Sequence, residues 1–324
     1  MFMKTIAVLT SGGDAPGMNA AVRAVVRTAC ENGIKVYGVN RGYNGLINGD
    51  LVEMNLRSVS DIIHRGGTTL HSARSPEFAT EDGMRKAIRT CQEYGIDGVV
   101  VIGGDGSFRG ARDLSERGIP CVGIPGTIDN DIACCDYTIG YDTCLNTIME
   151  MVDRIRDTTE SHERCSVIEV MGRRAGYLAL NAGIAVGATA ILIPEIDFDI
   201  EKHVIDRMRR TQKTGKVHFL IIVAEGCNVD VEELAKTIQA KTGVESRSTV
   251  LGHVQRGGSP TARDRVMASR MGNYAVKKLL MNNIGNRVVA AQKEEIVDYD
   301  IFEALNMKKS IDLALYDVAH EISI

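Results

Sequence analysis

The stretch that decides the fold reads Val99-Val100-Val101-Ile102-Gly103-Gly104-Asp105-Gly106-Ser107 and, after a mostly polar segment, Ile119-Pro120-Cys121-Val122-Gly123-Ile124-Pro125-Gly126-Thr127-Ile128-Asp129-Asn130-Asp131. Each half is a short apolar run, rich in Val and Ile, that stops at an acidic loop containing glycine. Two such runs separated by a helix-length segment predict neighbouring parallel strands of a βαβ unit. Both loops then lie at the carboxyl ends of strands, the edge at which open α/β sheets bind ligands.

The two loops bring carboxylates and glycines to one edge of the predicted sheet. The carboxylates are Asp105, Asp129 and Asp131, and the neighbouring glycines leave the backbone open to a phosphate group. Carboxylates beside a phosphate-binding loop predict a metal ion and a general base. The residues alone leave open which carboxylate serves which purpose.

Length, composition and charge predict an α/β protein with a large core. The chain has 324 residues, of which 44% are hydrophobic, and this favours two lobes. Its formal net charge of -4 argues against a dedicated nucleic-acid partner. It has no apolar run of membrane-spanning length and no signal-peptide pattern, so we expect a cytoplasmic protein without a membrane partner. The eight cysteines form no C-x-x-C pair, which favours reduced thiols over a zinc site.

The amino-terminal segment predicts a strand, a glycine loop and a helix. The strand covers Lys4 to Thr10, the loop Ser11 to Gly17, and the helix Met18 to Cys30. The loop pattern G-G-x-x-x-G matches neither the dinucleotide fingerprint nor the Walker loop. A phosphate site at the helix amino end and a plain tight turn both remain open.

The remaining chain alternates between predicted strands and helices, and the continuation of this pattern beyond Asp131 indicates a second α/β lobe. Strands are predicted at 35–39, 166–170, 190–193, 217–224 and 245–251, and helices at 59–64, 80–94, 141–159, 200–211, 231–242 and 262–280.

Four arginines stand near strand ends and indicate an anionic substrate. They are Arg164, Arg173, Arg247 and Arg256. Guanidinium groups bind phosphate through paired hydrogen bonds, although an arginine taken alone is more often a surface ion-pair partner. An acidic centre with basic surroundings is typical of phosphoryl transfer from a magnesium nucleotide to a phosphorylated acceptor.

Five motifs together resemble the signature set of the bacterial ATP-dependent 6-phosphofructokinases, the phosphofructokinase A family. They are the segments 11–19, 103–107, 125–131, 171–173 and 252–260. The resemblance implies two doubly wound three-layer αβα lobes with mainly parallel sheets and an active site in the cleft between them. It also implies an ATP-binding lobe of residues 1–138 plus about 251–303 and a fructose 6-phosphate-binding lobe of about 139–250 plus 304–324.

The resemblance further implies an activity in glycolysis. The γ-phosphoryl group of MgATP would pass to the 1-hydroxyl of fructose 6-phosphate and give fructose 1,6-bisphosphate and ADP. Asp129 would be the base and Asp105 the Mg²⁺ ligand, while Thr127, Arg173 and the Gly12 backbone would stabilise the transferring group.

Binding residues follow from the same resemblance, position by position. The ATP site would comprise Gly12, Arg74, Ser75, Gly104, Asp105, Gly106 and Ser107. The sugar phosphate site would comprise Thr127, Asp129, Arg164, Met171, Gly172, Arg173, Glu225, Arg247, His253 and Arg256, with Arg164 and Arg247 supplied by a neighbouring subunit of a homotetramer. An effector site for ADP or phosphoenolpyruvate would comprise Arg23, Arg27, Asp61, Arg156, Lys213 and Lys216.

Four residues bear on the identity of the phosphoryl donor and on regulation by an effector. Pyrophosphate-using relatives carry Asp in place of Gly106 and Lys in place of Gly126, so two glycines favour ATP. Leu56 stands where many members have an arginine of the effector site, and Thr189 stands where they have a glutamate for the effector's metal. We therefore expect ADP activation to be weakened or changed.

Three other functions are alternatives to this one. A pyrophosphate-dependent phosphofructokinase is the alternative within the same chemistry. A non-catalytic sensor of nucleotide and sugar phosphate has no need of the base Asp129, nor of Thr127 and Arg173. A dinucleotide oxidoreductase is disfavoured because the G-x-G-x-x-G fingerprint is missing.

Overall fold

The computed structural model describes residues 3–323, which fold as alternating strands and helices. The strands are β1 Thr5–Thr10, β2 Lys35–Val39, β3 Leu51–Met54, β4 Gly98–Gly103, β5 Cys121–Pro125, β6 Cys165–Val170, β7 Ala190–Leu192, β8 Phe219–Ala224, β9 Ser246–Val250, β10 Arg287–Gln292 and β11 Glu295–Asp300. The α-helices are α1 Met18–Glu31, α2 Tyr43–Asn48, α3 Glu81–Glu93, α4 Asp105–Glu116, α5 Tyr141–Ser161, α6 Tyr177–Ala185, α7 Asp206–Gln212, α8 Val231–Thr242, α9 Ala262–Tyr274, α10 Ile301–Asn306 and α11 Leu313–Glu321. Single π-helical segments, Glu201–Ile205 and Ala275–Leu279, precede α7 and follow α9.

The chain forms two compact units. Unit one contains the chain up to Thr143 together with Arg256–Lys309, and unit two contains Cys144–Gln255 together with the chain from Ser310 onward. The assignment of ATP to one lobe and of the sugar phosphate to the other stays a prediction. Within residues 3–323, none of the helices combines the length and the apolar character needed to cross a membrane.

Unit one is built on a seven-stranded sheet in the order β11-β10-β5-β4-β1-β2-β3. The five inner strands are parallel, and β3 and β11 are antiparallel edge strands. Residues Val99 to Ile102 of β4 are completely buried, because helices cover both faces of a mainly parallel sheet. The register pairs Gly103 with Pro125 and Thr10 with Ile102, so the loops after β1, β4 and β5 emerge side by side.

Unit two is built on a four-stranded parallel sheet in the order β7-β8-β6-β9. Its core includes Val167 of β6, Phe219 and Ile221 of β8, and Ile238 of α8, all completely buried. The pairing of Val170 with Ala224 places the ends of β6 and β8 next to each other.

Most predicted elements are confirmed, and the mainly parallel α/β class is confirmed with them. The helix predicted over 59–64 is wrong: this stretch forms turns, and Asp61 takes a left-handed φ of 56°, which an α-helix cannot include. Three strands went unpredicted, namely β3 and the antiparallel pair β10 and β11, which lie at or next to sheet edges.

Candidate functional site

The loop after β1 is fixed by hydrogen bonds to its neighbours. The Ser11 N–H donates to the Ile102 carbonyl at 2.9 Å, and the Gly12 carbonyl accepts from the Ser72 hydroxyl at 2.9 Å. Gly12 has a φ of 87°, a conformation that favours glycine. Helix α1 then begins after Gly17, which offers no side chain to cap it. An uncapped helix amino end beside a glycine loop is suited to an anion.

The loop after β4 lies against the first one. The Ser107 hydroxyl donates to the Ser11 carbonyl at 3.1 Å, and a Cβ on Gly103 would stand 2.5 Å from that same carbonyl oxygen. Gly104 stands at the amino end of α4 without a capping side chain. A Cβ on Gly106 would meet no described atom within 4 Å. The two loops therefore form one surface, with open space at Gly106 in which a polyphosphate group can lie.

The predicted ATP residues Arg74 and Ser75 lie on the irregular chain before α3. Arg74 is exposed, and its carbonyl accepts from the Asn44 amide at 3.3 Å. The Ser75 hydroxyl oxygen is buried and has no hydrogen-bond partner within residues 3–323. A buried hydroxyl of this kind costs about 1–3 kcal/mol unless a partner arrives, which is consistent with a hydrogen-bonding ligand.

The predicted metal ligand Asp105 is the first residue of α4 and is partly exposed. Among residues 3–323 there is no group of three or more His, Cys, Asp or Glu side chains arranged to hold a metal ion. Mg²⁺ at phosphoryl-transfer sites is usually bound by only one or two carboxylates, by water and by the substrate phosphates. A single carboxylate beside two glycine loops fits an ion that arrives with a nucleotide.

The loop after β5 carries Thr127 and Asp129. The Gly126 N–H donates to the Gly103 carbonyl at 2.9 Å, and the Thr127 N–H donates to the Ile139 carbonyl at 3.1 Å. The Thr127 hydroxyl oxygen accepts from the Asp129 N–H at 3.2 Å. Asp129 is only 6% exposed. Thr127 and the candidate base are therefore held together at the carboxyl edge of the unit-one sheet.

Asp264 is a residue that the sequence analysis missed. It is completely buried on α9, and it accepts from Tyr137 Oη at 2.5 Å, from the Gly140 N–H at 2.7 Å and from the Thr143 N–H at 2.9 Å. Burial raises the pKa of its carboxyl group, although these hydrogen bonds act in the other direction. Asp264 thus anchors the segment that follows the Asp129 loop.

The predicted substrate residue Arg256 lies in unit one and contacts the first glycine loop. Its Nη1 donates to the Asp14 carbonyl at 3.2 Å and would stand 2.5 Å from a Cβ placed on Gly13. His253 lies in unit two, in a 3₁₀ turn after β9, and is exposed.

In unit two, the loop after β6 holds the predicted residues Met171, Gly172 and Arg173. Oε1 of Glu225 accepts from the Gly172 N–H at 3.1 Å and from the Arg173 N–H. The Met171 N–H donates to Oε1 of the buried Gln255 at 3.0 Å. Arg173 takes a left-handed φ of 60°, and its side chain is exposed. Glu225 therefore fixes an otherwise unfavourable backbone and leaves the guanidinium available.

Arg164 and Arg247 lie at the opposite edge of the unit-two sheet. Arg164 precedes β6, Arg247 is the second residue of β9, and both pair with Glu245, at 2.9 Å and 2.7 Å. The six residues of β6 span about 20 Å, so neither arginine joins the Met171–Arg173 loop of the same unit.

The predicted effector residues are divided between the units. Arg23 and Arg27 lie one turn apart on α1 of unit one, and the Nε of Arg27 is buried without a hydrogen bond within the described chain. Asp61 is exposed. Leu56, which is predicted to stand where many family members have an arginine, is 46% exposed.

In unit two, Arg156 and Lys216 lie close together and Lys213 is exposed after α7. The Lys216 ammonium donates to the Thr189 hydroxyl at 3.5 Å. Burial, and then the charge of Arg156, lowers the pKa of Lys216. Arg156 donates to the Val186 carbonyl. Two cations in partly buried surroundings form a region suited to an anion.

The glycine loops at the carboxyl edge of a mainly parallel sheet define a phosphate-binding α/β protein. The family model described as Phosphofructokinase matches residues 5–279. An ATP-dependent 6-phosphofructokinase of Clostridium tetani is 56% identical over 321 residues, covering 99% of this chain and 100% of that protein. One of Bacillus subtilis is 56% identical over 322 residues with the same coverage. The chain belongs to the phosphofructokinase family.

Solved structures agree with this assignment. A phosphofructokinase from Saccharomyces cerevisiae matches 99% of this chain with a TM-score of 0.88 and 37% identity. The chain spans about half of that yeast chain, 48% of its length. A pyrophosphate-dependent phosphofructokinase from Marinobacter aquaeolei matches 96% of this chain and 86% of its own, with a TM-score of 0.84 and 23% identity, and shows the shared fold.

Proposed function

We propose that this chain is an ATP-dependent 6-phosphofructokinase. It transfers the γ-phosphoryl group of MgATP to the 1-hydroxyl of fructose 6-phosphate and releases fructose 1,6-bisphosphate and ADP. The single observation that carries the proposal is the arrangement in unit one, where the loops after β1, β4 and β5 bring two glycine loops, Asp105 and Asp129 to one sheet edge. Relatives named for this activity, 56% identical over their full length, support the same reaction.

Asp129 takes the proton of the 1-hydroxyl group of fructose 6-phosphate while the oxygen of that hydroxyl group attacks the γ-phosphorus. The bond between that phosphorus and the β,γ-bridging oxygen breaks, and ADP leaves with the electron pair. Asp105 would hold Mg²⁺, and the bound ion would supply positive charge to offset that of the phosphate oxygens. Thr127, Arg173 and the Gly12 N–H stabilise the transferring group, an effect that is largest where the donors are fixed in advance.

The remaining predicted residues bind the two substrates. Arg74, Ser75, Gly104, Gly106 and Ser107 contact the nucleotide. Met171, Gly172, Glu225, His253 and Arg256 contact the sugar phosphate. The open space at Gly106 and the buried Ser75 hydroxyl support the nucleotide assignment.

Product analysis tests this function. Purified protein is incubated with MgATP and fructose 6-phosphate, and the products are identified by phosphorus NMR. We expect fructose 1,6-bisphosphate and ADP in equal amounts. Binding of both substrates without turnover would instead identify the non-catalytic sensor.

The position of Arg164 and Arg247 supports a homotetramer in which they reach a neighbouring subunit's sugar phosphate. We expect Arg247→Ala to raise the KM for fructose 6-phosphate about tenfold or more, because a charged hydrogen bond to the ligand is worth about 1.5–3 kcal/mol. Mixed tetramers of Arg247→Ala and Asp129→Asn subunits should regain activity, since one subunit supplies the arginine and another the base. Activity no higher than the sum of the two parents would contradict contribution across subunits.

Regulation is proposed to be altered at Thr189. The Thr189 side chain is 1% exposed, and its hydroxyl accepts a hydrogen bond from the Lys216 ammonium group. Because residue 189 is a threonine, this position offers no carboxylate to an effector's metal. We expect the rate against fructose 6-phosphate to change little with ADP. A Thr189→Ser variant keeps the hydroxyl and serves as the control for Thr189→Glu, which should restore an ADP response. Strong ADP activation of the unaltered chain would contradict the prediction.

A further inference from the structure

The loop that carries the candidate base is fixed firmly at its two ends. The Thr127 N–H donates to the Ile139 carbonyl, and the Thr138 hydroxyl donates to the Thr127 carbonyl at 2.7 Å. The chain between these points, from Ile128 to Tyr137, has no helix or strand. The direction of the Asp129 carboxylate therefore depends on what holds the middle of the loop.

Lys309 holds that part of the loop. Its ammonium donates to the Asn130 carbonyl at 2.7 Å and to the Cys135 carbonyl at 2.7 Å. Asn130 directly follows Asp129, and the first of these bonds orients the peptide group between Asn130 and Asp131, one residue beyond the base. The second bond ties the far side of the same turn to the same nitrogen atom.

Asn130 is fixed in a conformation that few residues adopt. Its φ is 52°, in the left-handed region. Its side-chain amide donates to the Asp136 carbonyl at 3.1 Å and its side-chain oxygen accepts from the Thr138 N–H at 3.1 Å. These contacts and the Lys309 bond together hold a backbone that would otherwise relax by rotation.

Burial and the neighbouring charges act on the pKa of Lys309 in opposite directions. Burial lowers the pKa of the ammonium group, whereas the carboxylates of Asp131 and Asp136 and the thiols of Cys134 and Cys135 act to raise it. The protonated side chain makes charge-assisted hydrogen bonds, which are about twice as strong as neutral ones. Asp131, whose role the sequence left open, here stands as part of the counter-charge for Lys309.

We propose that Lys309 is a positioning residue for phosphoryl transfer: its ammonium group fixes the turn after Asp129 so that the carboxylate meets the acceptor hydroxyl. The inference rests on the proposed function of Asp129 as the base. Lys309 is the last residue of unit one before the chain passes into unit two, and all the contacts named lie within unit one.

The Lys309→Met variant tests the proposal. We expect kcat to fall about 10- to 100-fold, since small displacements of a catalytic group have effects of this size. The KM for ATP should stay within about twofold, because the nucleotide loops after β1 and β4 are held by other contacts. Lys308→Met is the matched control: Lys308 is the exposed neighbour, and its replacement should leave kcat unchanged.

The pH profile separates positioning from a general effect on stability. As pH rises through the lowered pKa of Lys309, the ammonium loses its charge and kcat should fall. Stability responds with the opposite sign, because a lysine whose pKa is lower in the folded state favours folding as pH rises through that value. The Lys309→Arg variant keeps its charge throughout, so it should retain most of kcat and lose this alkaline decline.

Three results would overturn the inference. A kcat of Lys309→Met within about twofold of that of the parent would exclude the positioning role, because a misplaced base should lower kcat by more than this. If Lys309→Met does not fold, the Lys309→Arg variant provides the test. A fall of its kcat at alkaline pH identical to that of the parent would exclude the positioning role. A parent chain that makes no fructose 1,6-bisphosphate refutes the proposed function, and the role of Lys309 falls with it.

Discussion

Replacing Asp129 by Asn is expected to lower kcat by at least about a thousandfold, within the range for loss of a general base with some loss of positioning. The amide has nearly the shape of the carboxylate but cannot accept the proton of the 1-hydroxyl. Because Asp129 is buried on a loop whose ends are fixed by hydrogen bonds, the variant should keep its fold. Steady-state rates and equilibrium binding of fructose 6-phosphate measure the two effects separately.

Asp113→Asn is the control for this experiment. Asp113 is an aspartate on α4 of the same unit, and it pairs at the surface with Arg112 at 2.7 Å. Exposed ion pairs contribute about 0–1 kcal/mol, so its replacement should leave kcat unchanged. Near-normal turnover of Asp129→Asn, with substrate bound as before, would mean that another group is the base.

Replacing Gly106 by Asp is expected to lower kcat/KM for ATP by at least about 100-fold, or about 2.7 kcal/mol. A Cβ at this position would meet no described atom within 4 Å, and we propose that the nucleotide phosphates lie in this space. A carboxylate there both fills the space and repels the phosphates, and repulsion of the wrong ligand is a common source of specificity. Rates with ATP at saturating fructose 6-phosphate give the value.

Two further variants divide the effect between bulk and charge. Gly106→Asn has the size of aspartate without its charge, and Gly106→Ala adds one carbon. We expect the order Asp, Asn, Ala in loss of activity. Gly126 is the second position that differs between ATP-using and pyrophosphate-using relatives, and it is less suited to such a test. A Cβ on Gly126 would stand 3.1 Å from Met18 and 3.2 Å from Ile102 and would disturb packing. If all three variants kept the ATP activity of the unaltered chain, Gly106 would not face the nucleotide.

The central strands could be predicted because their burial leaves a continuous apolar sequence. Val99, Val100 and Val101 are covered on both faces, and no polar residue interrupts them. The edge strand β11, by contrast, is at most partly buried along its length, and its sequence has no comparable pattern. The turn at Asp61 depends on one left-handed residue, which the apolar spacing around it does not indicate.

The loops of the candidate site could be predicted because glycine and aspartate follow strand ends in sequence. The residues that hold those loops could not, because they act across long separations. Asp264 is 124 residues from Gly140, and Lys309 is 179 residues from Asn130. Neither stands in a glycine motif or at a strand end, so the sequence offered no signal for them.

The donor comparison tests the central claim most directly. Purified chain, Mg²⁺ and fructose 6-phosphate are assayed for fructose 1,6-bisphosphate by a coupled reaction, once with ATP and once with pyrophosphate. We predict rapid turnover with ATP and little or none with pyrophosphate, because Gly106 leaves open the space that we propose for the nucleotide. Strong activity with pyrophosphate and none with ATP would contradict the proposed function.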